Sequence, residues 1–107
     1  MDTGGKMFKK IINPNEELSY KLNSVDTRYL INEGDKSIGI FAATKDLSVP
    51  TQISPQNICF FVTEGEIQIT VDDKIFDIKQ NEMILIPKTS AYTINFIQDS
   101  KAFFVRI

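Results

Sequence analysis

Apolar and polar residues alternate along much of the second half of the chain. From residue 66 to 71 every second side chain is apolar, and residues 92–97 largely repeat the pattern. A period of two predicts β-strands that bury one face. Asp72 and Asp73 separate two such runs and favour a two-residue hairpin turn. The pattern predicts about eight strands, at residues 27–31, 37–43, 57–63, 66–71, 74–78, 83–86, 92–97 and 102–107.

Other segments give weaker signals. Residues 45–56 are polar and contain two prolines, which predicts a loop or an interrupted edge strand. Asn13 followed by Pro14 is a typical start for a short helical turn. The apolar run at 83–86 is typical of a strand buried on both faces. The polar, Gly-containing start of the chain predicts a flexible tail over 1–6 and a single domain over 7–107.

Many short strands, tight turns and little helical periodicity indicate an all-β protein. The 107 residues are enough for one domain. Consecutive hairpins favour an antiparallel sandwich or barrel over a parallel sheet, which would need helical crossovers. Because an exposed strand as apolar as residues 102–107 would aggregate, we expect it to be paired in a sheet or at a subunit interface.

The composition of the chain argues against several kinds of function. The chain has no histidine, 12 basic and 14 acidic residues, and a net charge of -2. Histidine is the commonest metal ligand and the usual proton carrier near neutral pH. Lys9 and Lys10 are the only adjacent basic pair, so we expect no nucleic-acid partner. No apolar run approaches the roughly 18 residues of a membrane helix, so we expect no membrane partner either.

The single cysteine, Cys59, rules out an internal disulfide. A lone thiol fits a reducing compartment, and we expect a cytoplasmic protein. Ile58, Phe60 and Phe61 flank Cys59, which predicts a buried, unreactive thiol. The carboxylates lie in turns or near strand ends, and no pair of them indicates a shared acid/base site.

Two segments resemble the motifs of the cupin superfamily. Residues 61–73 contain an aromatic-valine-x-x-glycine-glutamate sequence that leads into a hairpin. Residues 81–92 resemble the second cupin motif, in which an apolar strand is followed by a proline (Pro87 here) and a short loop. The resemblance covers residues 37–107. It implies a double-stranded β-helix, the jelly-roll barrel of the cupin type.

The chain departs from the cupin pattern where these proteins bind metal. The first motif would place histidines near Gln52 and Ser54 and a glutamate near Ile58. The second motif would place a histidine at Tyr92. Amide, hydroxyl, alkyl and phenol groups are a poor ligand set for a divalent first-row metal, so we expect no metal and no cofactor.

Three positions that usually hold glycine in cupins are also occupied by other residues. They are Asp46, Asn81 and Thr89 in this chain. Asparagine can still adopt the positive φ that a turn requires. We therefore expect the chain to keep the backbone of the two motifs although their metal ligands are absent.

The same positions define a candidate ligand site. Gln52, Ser54 and Tyr92 would form a polar lip at the barrel mouth. Ile58 and Phe60 would form an apolar floor beneath it. These residues fit a small-ligand pocket, and they fit equally a filled core in which Tyr92 occupies the space of the missing metal.

The leading hypothesis is a metal-free cupin-like protein that binds a small organic ligand or acts as a regulatory module. One alternative is a metal-independent isomerase or lyase that acts at the barrel mouth through Tyr92 and a nearby carboxylate; of the two, the non-enzymatic role is favoured. Another alternative is a structural homodimer with a filled barrel. The resemblance implies a homodimer in any case, with residues 7–12 and 103–107 as candidate contacts.

Overall fold

The computed structural model describes residues 8–107, and the fold is all-β as predicted. Strands account for 57% of the described residues and helix for 4%. The strands are β1 Val25–Asn32, β2 Ser37–Ala43, β3 Ser48–Ile53, β4 Ile58–Glu64, β5 Glu66–Val71, β6 Lys74–Lys79, β7 Met83–Ile86, β8 Ala91–Phe96 and β9 Ser100–Arg106. The tail predicted over residues 1–6, together with Met7, lies outside the described residues.

A short helix, α1, spans Pro14–Glu17 at the predicted position. Asn13 caps it, because its side-chain oxygen accepts a hydrogen bond from the Asn15 backbone N–H at 3.1 Å. Pro14 lacks an amide proton, which the first position of a helix does not need. Within residues 8–107 the structure contains no helix with the length and apolar character to cross a membrane.

The strands form two antiparallel sheets with the connectivity of a jelly roll. Sheet A has the order β1-β2-β9-β4-β7, and sheet B has the order β3-β8-β5-β6. From β2 onward the chain passes between the sheets at each step, except that β5 and β6 form a hairpin within sheet B. This is the arrangement of a double-stranded β-helix, and the predicted fold class is confirmed.

The core lies between the sheets and follows from the period-two pattern. β5 directs Ile67 and Ile69 inward, and both are fully buried. β4 contributes Phe60 and Val62 from the facing sheet, and β9 contributes Phe104. Removing these apolar side chains from water is the main source of stability for a sandwich of this kind.

Residues with positive φ form the tight turns. Asp72 and Asp73 have φ of 47° and 70°, the type I′ geometry that suits the hairpin between β5 and β6. Gly65, between β4 and β5, has φ of 84°. A Cβ at this position would lie 2.3 Å from the carbonyl oxygen of Asp99, so only glycine fits the turn.

The three positions that the resemblance equates with glycine keep a left-handed backbone. Asp46, Asn81 and Thr89 have φ of 70°, 69° and 69°. Asparagine and aspartate tolerate this region because their short polar side chains bond locally, whereas a β-branched threonine is strained in it. The turn geometry is therefore retained although the glycines are not.

The segment predicted as a loop or an interrupted edge strand is strand β3. It lies at the edge of sheet B, and its pairing with β8 is irregular between Val49 and Gln52. Pro50 lies in this interval and has no amide proton to donate, which an edge strand tolerates. The interrupted-edge alternative is correct, and the described residues form nine strands.

The prediction that residues 83–86 are buried on both faces is wrong. They form β7, an edge strand of sheet A. Met83 is 54% exposed and Leu85 is 71% exposed, whereas Ile86 is buried. The run is continuously apolar because its outer side chains belong to an apolar outer face of the sheet, and sequence periodicity does not reveal that this face is left exposed.

The segment before β1 covers one part of that outer face. The Lys101 ammonium donates to the carbonyl oxygen of Asn15 at 2.6 Å and lies 4.9 Å from the centre of the Tyr20 ring. The Tyr20 hydroxyl donates to the Glu64 carboxylate. Burial, followed by this hydrogen bond, raises the pKa of Tyr20 well above its usual range.

Residues 8–107 leave another part of the outer face partly exposed. Phe61 and Phe103 stack there with their ring centres 5.1 Å apart. We call this surface the outer patch, and it consists of Cys59, Phe61, Met83, Leu85, Phe103 and Val105.

Cys59 is only partly buried in the outer patch, so the prediction of a buried thiol is wrong. The chain alternates there, and Ile58 and Phe60 take the inward positions. The Cys59 sulfur lies 4.0 Å from the sulfur of Met83. Partial burial raises the pKa of the thiol, which keeps it protonated and weakly nucleophilic near neutral pH.

Candidate functional site

An inner cavity of about 280 Å³ lies between the two sheets. Both of the edge strands β1 and β3 contribute to its wall. The lining residues are Val25, Thr27, Tyr29, Phe41, Val49, Gln52, Phe60, Tyr92, Ile94, Phe96, Phe104 and Arg106. Aromatic and aliphatic side chains dominate this lining, as in most small-molecule sites.

A second and more polar cavity, the vestibule, adjoins the inner cavity. Its volume is about 240 Å³. The lining residues are Tyr29, Asn32, Gly34, Ser37, Gln52, Ile53, Ser54, Pro55, Gln56, Tyr92 and Arg106. Four residues line both cavities, and we call them the junction residues: Tyr29, Gln52, Tyr92 and Arg106.

One pair of junction residues links the two strands of sheet B that border the site. Gln52 of β3 lies opposite Tyr92 of β8 in the sheet register. The Tyr92 hydroxyl donates to the Gln52 side-chain oxygen at 3.1 Å. The Tyr92 ring is 3% exposed and packs edge-on against Phe60, with ring centres 5.8 Å apart. Tyr92 is thus held rigidly, while Gln52 stays accessible at the rim.

The other pair of junction residues links β1 and β9. Arg106 follows Phe104 by two positions and so lies on the same, inward face of β9. Its Nη1 donates to the Tyr29 hydroxyl oxygen at 2.9 Å, and its guanidinium carbon lies 4.7 Å from the centre of the Phe104 ring. Tyr29 in turn packs edge-on against Phe104, with ring centres 5.7 Å apart. The guanidinium is therefore fixed by a hydrogen bond and by an aromatic face.

Among residues 8–107, Arg106 is the only charged side chain that lines the two cavities. Within residues 8–107 the ion pairs are Lys21–Asp26 and Arg28–Glu17, and Arg106 belongs to neither. The lining described here contains no aspartate or glutamate. The site therefore carries a net positive charge.

The structure brings most of the predicted site residues together. Gln52 and Tyr92 line both cavities, Phe60 lines the inner cavity, and Ser54 lines the vestibule. The Ser54 hydroxyl accepts a hydrogen bond from the backbone N–H of Gln56 at 3.0 Å. Ile58 instead packs into the core at 2% exposure and lines neither cavity.

Tyr29 and Arg106 are junction residues that the sequence analysis missed. The sequence did contain a signal for Arg106. It is a charged residue at an alternate, core-facing position of an apolar strand, and such a residue indicates a site or the end of a strand. Tyr29 gave no such signal, since a tyrosine in a strand is ordinary core material. Only the pairing of β1 with β2, and of β2 with β9, brings it close to Arg106.

The four positions where cupins hold metal do not fit a metal ion in this chain. The Gln52 oxygen and the Tyr92 hydroxyl bond to each other, Ser54 bonds to Gln56, and Ile58 has no donor atom. Elsewhere in residues 8–107 no group of three or more acidic or cysteine side chains is placed to hold a metal. A transition-metal site needs several convergent imidazole, thiolate or carboxylate ligands.

Solved structures with this fold define the class of the domain. A cupin superfamily protein from Desulfitobacterium hafniense superposes with a TM-score of 0.86 at 17% identity, covering 92% of this chain and 91% of that one. A conserved protein of unknown function from Streptococcus pyogenes gives 0.88 at 17% identity, covering 92% and 87%. These neighbours have a cupin-type fold, which confirms the fold that the resemblance implied.

A family model narrows the assignment. The chain belongs to the Mif2/CENP-C-like family, whose model matches residues 37–106. The cupin domain of Schizosaccharomyces pombe Cnp3 superposes with a TM-score of 0.71 at 21% identity, covering 77% of this chain and 63% of that one. No protein of curated function matches the sequence. Neighbours at these identities share the fold alone with this chain.

Proposed function

We propose that this protein is a metal-independent cupin module that binds a small organic ligand in the inner cavity. The observation that carries the proposal is the cavity of about 280 Å³ between the sheets, with aromatic walls and the polar junction residues at one side. Ligand sites in proteins commonly begin at about 300 Å³. The occupant is therefore small, on the scale of a single ring or a short-chain metabolite.

The wall supports a ligand with a flat apolar part. Phe41, Phe60, Phe96 and Phe104 all border the inner cavity, and their rings pack against one another. Such a cluster is rigid, so it loses little conformational freedom when a ligand binds. The polar groups of Tyr92 and Gln52 can orient the occupant through hydrogen bonds.

The alternative of an isomerase or lyase has less support. That mechanism needs a carboxylate near Tyr92 to accept or donate a proton. The residues of the described chain that line the two cavities include no aspartate or glutamate. Binding without chemical conversion is the simpler role for these side chains.

A matched pair of variants tests the proposal. Thr27→Phe places a large ring in the inner cavity, whereas Thr70→Phe adds the same ring on strand β5 at a position outside the lining. We expect a thermal-shift screen against a metabolite panel to give hits for the natural protein and for Thr70→Phe. Thr27→Phe should lose those hits. No hit for the natural protein, or hits that survive Thr27→Phe, would contradict cavity binding.

A homodimer is the second proposal, and the outer patch supports it. Its side chains are apolar, and the described chain leaves them partly exposed on the face of a sheet, with Leu85 at 71%. A second copy is the occupant that fits, because a two-fold axis lays an apolar sheet face against its own equivalent. Phe103 and Val105 belong to the terminal segment expected to form this contact.

Charge placed in the outer patch tests the dimer. Leu85→Glu puts a carboxylate in the patch, and Ile75→Glu puts one at a 60%-exposed isoleucine of sheet B as the control. We expect sedimentation velocity to give a dimer for the natural protein and for Ile75→Glu, and a monomer for Leu85→Glu. A monomeric natural protein, or a dimeric Leu85→Glu, would show that the outer patch is not the dimer contact.

A further inference from the structure

We propose that Arg106 makes the site selective for small organic carboxylates. This inference rests on the proposed binding function and adds the chemical class of the ligand. It starts from the position of Arg106 at the junction of the two cavities. A carboxylate at this position would have its charged group at the vestibule side and its apolar body in the aromatic inner cavity.

The charge of the site favours an anion. Within residues 8–107, Arg106 is the only charged residue of the lining, and neither ion pair includes it. A partly buried cation without a counter-charge gains free energy when an anion joins it in a region of low dielectric. The guanidinium keeps donors beyond Nη1, and its planar fork matches the two oxygens of a carboxylate.

Tyr29 adds a second donor to the same place. Its hydroxyl oxygen already accepts from Arg106, so the hydroxyl proton is left to be donated. Among residues 8–107 the structure pairs that proton with no acceptor. An anion beside Arg106 would provide the acceptor and would receive hydrogen bonds from both side chains.

The single positive charge favours a carboxylate over a phosphate. One guanidinium balances one carboxylate, whereas a phosphate monoester carries close to two negative charges near neutral pH. No lysine lines either cavity in the described chain to balance the second charge. The guanidinium of Arg106 also lies over the Phe104 ring, beside an aromatic wall where a planar acid can lie.

Three probes with one benzene ring test the charge preference by isothermal titration calorimetry. They are benzoate, its neutral analogue benzamide, and phenyl phosphate. We expect benzoate to bind at least about tenfold more tightly than benzamide, since only the carboxylate can form a bidentate ion pair with the guanidinium. Phenyl phosphate should bind more weakly than benzoate.

Variants assign the preference to Arg106. Arg106→Gln should weaken benzoate at least about tenfold and weaken benzamide much less, and Arg106→Lys should retain part of the preference. Arg28→Gln is the matched control, because Arg28 pairs with Glu17 and lines neither cavity. Equal affinities for benzoate and benzamide, or a benzoate affinity unaffected by Arg106→Gln, would overturn the inference.

The remaining outcomes separate this inference from the proposed function. If phenyl phosphate binds more tightly than benzoate, the carboxylate inference is overturned and the ligand class is a phosphate ester. Neutral compounds that bind and are lost in Thr27→Phe, without any benzoate binding, would leave the cavity function standing and reject the carboxylate preference. No binding by any compound would reject both.

Discussion

Two regions of the interior differ although the same alternation of side chains builds both. Ala43, Val62, Ile67 and Ser100 lie close to the Gly65 turn and are fully buried, so this region is filled. The lining of the inner cavity and vestibule forms the open region. Its walls include the edge strands β1 and β3, which no hydrogen-bonded ladder joins to each other in the described chain.

The difference shows what keeps the sheets together. At the filled region a turn of one residue connects β4 to β5, and the Ser100 hydroxyl accepts a hydrogen bond from the Glu66 N–H at 3.1 Å. The sheets are thereby tied at close range by small side chains. At the open region large aromatic rings and Arg106 line a space that is left between the sheets. One fold thus contains a filled core and a pocket, which the sequence analysis had set as alternatives.

The largest expected effect contrasts two glycines. Gly65→Ala puts a Cβ 2.3 Å from a backbone oxygen in the filled region, whereas Gly34→Ala, at the vestibule, meets no atom within 4 Å. Both positions have positive φ, so an alanine is strained at either one. We expect losses in the free energy of unfolding of about 3 kcal/mol or more for Gly65→Ala and about 1 kcal/mol for Gly34→Ala. Urea denaturation measures both, and equal losses would contradict the contrast.

Two valines give the next largest effect. Val62→Ala in the filled region opens a new void, and we expect a loss of about 2 kcal/mol. Val49→Ala widens a cavity that already exists, and we expect a loss below about 1 kcal/mol. The same urea measurements apply. A loss for Val49→Ala as large as that for Val62→Ala would mean that the open region is packed as tightly as the filled one.

A smaller, pH-dependent effect concerns Tyr20, which bonds to Glu64 beside the filled region. Burial raises its pKa in the folded state, so above about pH 10 an unfolded tyrosine ionises while the folded one keeps its proton. The stability that Tyr20 contributes is present below pH 10 and is lost as the pH rises further. We expect Tyr20→Phe to cost about 1 kcal/mol at neutral pH and less in alkali.

Unfolding in urea at about pH 8 and about pH 11 measures this change. Glu64→Gln is the companion variant, because it keeps a side-chain acceptor and removes the negative charge that also opposes ionisation of Tyr20. A difference between the natural protein and Tyr20→Phe that stays constant across this range would contradict the assignment.

The smallest expected effect is a gain in the free energy of unfolding from a substitution at Thr89. This residue lies near the mouth of the open region, where its N–H donates to the Ser54 carbonyl oxygen at 2.8 Å. Thr89→Gly removes the strain of a β-branched residue at positive φ, partly offset by the flexibility of glycine when unfolded. We expect a gain of about 0.5 kcal/mol. Asn81→Gly is the control and should change less, because asparagine tolerates this backbone. A loss at Thr89→Gly would show that its side chain stabilises the loop.

Much of the fold could be predicted because alternation and turn chemistry are local. Strand β2 has the predicted limits, and the Asp72-Asp73 hairpin and the cap at Asn13 are confirmed. β3 was only an alternative, because Pro50 and its polar neighbours resemble a loop until β8 pairs with them. The exposure of Leu85 depends on what covers the sheet, and periodicity contains no information on that.

The lining of the candidate site could be predicted only in part. Gln52 and Tyr92 were found through positions that the cupin resemblance marks, and the structure joins them by a hydrogen bond. Ile58 was placed at the site by that resemblance, but it packs in the core. Tyr29 and Arg106 meet only through the register of three strands. Contacts between strands distant in sequence are not visible in the pattern of any one strand.

The left-handed backbone at Asp46, Asn81 and Thr89 has a consequence for how distant relatives are found. A comparison by residue identity counts three substitutions where the path of the chain has none. At these three turns the chain keeps a positive φ without a glycine. A search that scores tolerance of positive φ instead of glycine itself should detect relatives that letter-by-letter alignment overlooks.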